Sequence, residues 1–146
     1  MGAKLLIVDN EPPQLAKFLR AAKEAGFQDE EIVSTDGAGE AAAKLMTETF
    51  DVALVDLVLA STDPTSEDVD DALELIRQIR RYQPECRVIA LTRSNNNEAG
   101  IRAMTAGASD FVCTRWEYIN GEELLVQRLR LWRGVVADRD MAMATA

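Results

Sequence analysis

Four continuous apolar runs set the strongest limit on what this chain can fold into: KLLIVD at 4–9, DVALVDL at 51–57, RVIALT at 87–92 and DFVCT at 110–114. Runs that lack apolar–polar alternation suit strands covered on both faces, as in a parallel sheet. EIVST at 31–35 is a weaker fifth candidate. Helical spacing fills the intervals. Pro12 and Pro13 suit a first helical turn, Leu15, Phe18, Leu19 and Ala22 form a stripe, and Gly26 is placed to stop it. Ala41, Ala42, Leu45 and Met46 make a second helix, and Leu73, Ile76, Ile79 and Arg80 a third that ends near Pro84. Ile101, Met104 and Thr105 mark a fourth, stopped by Gly107, and Leu124, Leu125, Arg128, Leu129 and Trp132 a fifth. Alternation of this kind predicts an α/β fold with right-handed crossovers around a parallel sheet.

At 146 residues and 47% hydrophobic content the chain fits one domain with a substantial core. The net charge of −9 works against phosphate-backbone binding, which depends on clustered Lys and Arg, so nucleic acid is not an expected partner. With no His and no Cys-x-x-Cys pair, a zinc site or disulfide framework has little support, and Cys86 and Cys113 are expected to be buried, reduced thiols. The stretch MGAKLLIVDNEPP reaches a Pro pair too soon for a signal peptide or membrane span. The expectation is a soluble cytoplasmic protein with no membrane partner.

In open α/β sheets the functional crevice lies beyond the carboxyl ends of the strands. With the five candidate strands taken in chain order, the residues at those ends are Asp9 and Asn10 after the first, Asp56 in the third, Thr92 in the fourth and Thr114 in the fifth. Any one of them has an ordinary explanation, since Asp and Asn commonly cap the helix after a strand, and Asn10 before EPP reads as a cap or as a ligand. Asp9 together with Asp56 is harder to explain that way, because like charges converging on one edge repel unless a cation sits between them. Oxygen donors without His or Cys favour Mg²⁺.

The succession LLIVDNEP, DVALVDL, VIALT and AGASDFV resembles the receiver domain of two-component response regulators, over nearly the whole chain up to about Arg133. The resemblance implies a flavodoxin-like (βα)5 three-layer sandwich with strand order 2-1-3-4-5. It also implies roles: Asp56 as phosphoacceptor, Asp9, Asn10 and Asp56 around Mg²⁺, Thr92 as the switch hydroxyl, and Phe111 as the aromatic that turns inward on activation. The expected function is a signalling receiver, not an enzyme, which takes a phosphoryl group from a histidine kinase or phosphotransfer protein and signals to a downstream output protein by contact.

Departures from the family pattern accompany the matches. Asn10 stands where a second pocket acid is usual, which implies weaker Mg²⁺ binding. Thr114, followed by Arg115, stands where the family has Lys and then cis-Pro, so the cation that pairs with the acceptor is missing there; Arg115 and Arg93 are candidate replacements. Arg93 also follows the switch Thr where a small residue is usual. These differences support an alternative, a phosphorylation-independent pseudo-receiver acting as a protein interaction module. An enzyme of another class, a phosphohydrolase or flavin protein, finds neither a general acid near Asp56 nor a phosphate cradle in DNEPPQ.

Two further segments carry expectations. Residues 60–71, rich in acids, read as an inserted, solvated loop, with Asp70 or Asp71 capping the next helix. Residues 1–133 then form the receiver and 134–146 a helix extension that frays into a tail. Arg128, Arg130, Arg133, Trp116 and Trp132 read either as solvated groups around a buried stripe or as a partner surface.

Overall fold

A computed structural model describes residues 2–9, 11–58, 69–92, 97–113 and 121–145, without the side chains of 97, 121 and 143–145. Five strands form one parallel sheet: β1 Leu5–Val8, β2 Ile32–Thr35, β3 Val52–Asp56, β4 Arg87–Thr92 and β5 Asp110–Cys113. Their order is β2-β1-β3-β4-β5, as expected from the flavodoxin-like reading. The helices are α1 Pro12–Ala25, α2 Ala38–Leu45, α3 Asp70–Tyr82, α4 Asn97–Ala106 and α5 Gly121–Thr145.

Strand pleating explains why the central runs lack alternation. Leu6, Val8, Ala53, Val55, Val88 and Ala90 pack on one face with α2, α3 and α4, while Leu5, Ile7, Val52, Leu54, Ile89 and Leu91 pack on the other with α1 and α5. Both faces are covered, so every position of β1 and β3 must be apolar until the strand ends.

The expected helix stops are present. Gly26 adopts φ 114°, and the N–H of Phe27 reaches back to the carbonyl of Ala22 at 3.0 Å; Gly107 adopts φ 121°, and Ala108 reaches Ala103 at 3.0 Å. Only glycine adopts this left-handed backbone without a steric cost.

Some expectations need correction. Asp70 and Asp71 do not cap α3: Val69 holds the cap position, and the two acids lie in the first turn, where carboxylates favour the positive helix end. The acid-rich segment is therefore partly helix, and its remaining acids, Asp63, Glu67 and Asp68, lie outside the described residues. Cys86 is buried, but Cys113 is only half-buried. The helix extension expected after Gly134 is present and runs to Thr145, giving α5 a length of about 37 Å at 1.5 Å per residue. Val136 is buried, and Arg139 pairs with Asp51 at 3.2 Å and Glu85 at 3.5 Å, which ties the distal helix to the amino-terminal edge of the sheet.

Candidate functional site

The site is built where apolar strands run out. Asp56 is the last residue of β3, paired in register with Leu91 of β4, and is 1% exposed. Asp9 directly follows β1, whose Val8 pairs with Val55, and is 3% exposed. The register therefore puts the two carboxylates on adjacent strands at the same level of the sheet. Their side-chain sense also agrees: Leu5 and Ile7 before Asp9, and Val52 and Leu54 before Asp56, share the face that α1 and α5 cover.

Each carboxylate is oriented by its own chain. Oδ1 of Asp9 accepts the Glu11 N–H at 2.9 Å, and Oδ1 of Asp56 accepts the Val58 N–H at 2.9 Å. This repeated turn, carboxylate to the backbone two residues on, fixes both groups as the chain leaves the strand. Removing such groups from water is costly unless charge and hydrogen bonding compensate, so two of them on neighbouring strands make an edge that favours a cation.

Thr92 ends β4 and is 3% exposed, but it lies on the opposite face: Val88 and Ala90, four and two residues earlier, pack toward α2, α3 and α4. Phe111 pairs with Ala90 across β4 and β5 and packs against that same cluster. The proposed acid pair and the proposed switch pair thus occupy opposite sides of one sheet. Asn10, Thr114, Arg93, Arg115 and Trp116 lie outside the described residues.

A cavity of about 310 Å³ opens beside Asp9, lined also by Glu11, Thr35, Asp36 and Glu40. Sequence reasoning did not bring these additional acids to the edge. The available signal was the position of Asp36 and Glu40 just after β2, whose pairing beside β1 makes its carboxyl end a neighbour of Asp9. The Asp36 N–H donates to Glu40 Oε2 at 3.1 Å, which holds one of these acids in place.

The late basic residues are committed within the molecule. Asp110 accepts from Trp132 Nε1 at 2.9 Å and from Arg128 at 3.3 Å, Arg130 donates to the Glu24 carbonyl at 3.2 Å, and the Arg133 guanidinium lies 5.9 Å from the Phe27 ring centre. Arg130 stays exposed and the Arg128 side chain is 41% exposed, in keeping with solvated groups around a buried stripe, while these bonds hold the side chains against the molecule's own surface.

A five-stranded parallel sheet in this order, with acids at the carboxyl end of its middle strands, defines the class as a flavodoxin-like α/β module. The sequence places it more narrowly. The family model described as "Response regulator receiver domain" matches residues 5–119, and the chain belongs to that family of two-component signalling modules. It is 32% identical over 108 residues to the photosynthetic apparatus regulatory protein RegA of Rhodovulum sulfidophilum, covering 74% of this chain and 53% of RegA. It is 28% identical over 109 residues to the alginate biosynthesis transcriptional regulatory protein AlgB of Pseudomonas aeruginosa, covering 75% of this chain and 22% of AlgB. The chain therefore spans about half of the one relative and about a fifth of the other. The BeF3-activated DrrB receiver domain superposes with a TM-score of 0.68 at 23% identity, covering 90% of this chain and 97% of that one, and supports the fold. Among the described residues, no helix is long and apolar enough to cross a membrane.

Proposed function

We propose that Asp56 accepts a phosphoryl group, and that Asp9 and Asp56, with Asn10 beside them in sequence, hold Mg²⁺. The carrying observation is the burial of Asp56 at the end of the central strand, level with Asp9 on the neighbouring strand. An Asp56 carboxylate oxygen attacks the phosphorus of a phosphorylated donor; the new O–P bond forms as the donor's P–N or P–O bond breaks, and the leaving group departs with that electron pair and takes a proton from solvent. Little covalent chemistry is asked of the protein, so positioning and charge neutralisation dominate. The donor set fits a hard cation: carboxylate oxygens, in a chain without His, match Mg²⁺, which uses one or two carboxylates and keeps several waters. Bound there, Mg²⁺ would neutralise charge between the carboxylates and the incoming phosphate.

Receiver domains are signalling modules that work with histidine kinases or phosphotransfer proteins and with output domains. For this chain we assign a kinase or phosphotransfer protein as donor, a downstream protein as output, and a cytoplasmic setting. Thr92 and Phe111 serve as the response pair on the α4 side, and Thr114 leaves the acceptor without the family's Lys.

Intact mass after incubation with acetyl phosphate and Mg²⁺ tests this reading. The expected result is one added phosphoryl group, abolished by Asp56→Asn. No added mass at saturating Mg²⁺ would favour the phosphorylation-independent alternative, to which Asn10 and Thr114 already point.

A further inference from the structure

Helix α1 carries one polar residue on its buried face. Its buried positions are Gln14, Phe18, Ala21, Ala22 and Ala25, a single helical stripe in which the last four belong to the core beneath α1 and α5. Gln14 is 3% exposed, and its side-chain Nε2 has no hydrogen-bond partner among the described residues. A buried amide in that condition destabilises a fold, and an apolar residue would be the ordinary occupant.

Its position indicates what it is for. Because α1 starts at Pro12, immediately beyond the carboxyl end of β1, Gln14 heads the stripe one helical turn from Phe18 and nearest the edge where Asp9 lies. It also faces the side of the sheet that Asp9 and Asp56 share by strand alternation. A donor with no partner among the described residues is thus buried at the edge where negative charge would grow when Asp56 is phosphorylated.

We propose that Gln14 is a positioning donor for the phosphorylated state, its amide giving a hydrogen bond to an oxygen of the phosphoryl group on Asp56. This rests on the reading of Asp56 as acceptor. The bond supplies part of the stabilisation for which Thr114 offers no cation, and a donor used only in the phosphorylated state explains why it is unsatisfied without it. The ligand class is a tetrahedral oxyanion, so beryllofluoride is a suitable probe.

Replacing the amide by a side chain of similar length, Gln14→Met, separates this role from a structural one. The urea midpoint should rise, because an unsatisfied buried group is removed. Beryllofluoride affinity, measured with Mg²⁺ saturating, should fall about tenfold, the size expected for one hydrogen bond to a charged group. Affinity for Mg²⁺ alone should stay the same. Wild-type labelling with undiminished beryllofluoride binding in Gln14→Met would overturn the inference while leaving Asp56 as acceptor. A parallel loss of stability or of Mg²⁺ affinity would overturn it by showing general damage. Failure of the wild type itself to bind beryllofluoride or take up phosphate would remove the Asp56 reading and this inference together.

Discussion

Cys86 is a thiol in surroundings that cannot accept its charge. Burial pushes its pKa from 9.0 up to about 12, and the nearby Arg80 and Arg87 guanidiniums oppose this shift without cancelling it. In the unfolded chain the thiol ionises near its ordinary value, while in the fold it stays protonated. The stability tied to Cys86 is therefore fully present below about pH 9 and is lost progressively as pH rises toward about 12. Its slope within that window is about 1.4 kcal/mol per pH unit. Urea unfolding of wild type and Cys86→Ala at pH 8 and pH 10 should show a shallower loss in the variant, although the variant starts lower because it loses packing. Parallel losses would mean that the thiol ionises in the native state. Burial of Cys86 was legible from its place just before the apolar run RVIALT. Cys113 was misjudged because β5 is an edge strand, and its last residue has a sheet neighbour on only one side.

Elements were more legible than their attachments. Strand runs and glycine stops follow from local sterics and periodicity, which a single sequence contains. The ties of α5 were hidden because they join residues distant in sequence. Asp110 receives its own neighbour's N–H from Phe111 at 2.8 Å, the Trp132 indole at 2.9 Å and the Arg128 guanidinium, and so locks the start of β5 to the middle of α5. Asp110→Ala strands a partly buried indole N–H and releases Arg128, at an expected cost of about 1–3 kcal/mol, since a donor left unsatisfied in a partly buried place costs more than the bond contributed. A shift of the denaturation midpoint below about 0.5 kcal/mol, the usual range for surface substitutions, would show that the cluster is solvated in solution. The site was legible to a similar degree. Asp9, Asp56 and Thr92 end apolar runs and can be read from the sequence, whereas Gln14, Glu11, Asp36 and Glu40 reach the same edge only through helix facing and strand order.

At the scale of the whole molecule, the two halves of the proposed switch lie on opposite faces of the sheet. Asp9 and Asp56 belong to the α1/α5 side, and Thr92 and Phe111 to the α4 side, so on the proposed reading a signal passes through the ends of β3 and β4. The Phe111 ring makes this passage testable. It is half-buried and rests on Gly100 of α4, where an added Cβ would lie 2.5 Å from its Cε1 and 2.6 Å from its Cδ1. Both carbons belong to the ring itself, so Gly100→Ala forces the ring from this position even though alanine suits a helix interior better by about 1 kcal/mol. On the proposed reading, phosphorylation favours a ring turned further inward, toward Thr92. A substitution that disfavours only the outer position must then raise the affinity of the acid site for its ligand, because the two equilibria share one conformational change. Gly100→Ala is expected to bind beryllofluoride about threefold to tenfold more tightly than wild type in the presence of Mg²⁺, as read by Trp fluorescence, within the range of modest coupling energies. The double variant Gly100→Ala with Phe111→Ala should lose that gain, since it no longer has a ring to displace. Equal or weaker binding in the single variant, in a protein that unfolds as cooperatively as wild type, would separate Phe111 from the acid site and leave its place on α4 as packing alone.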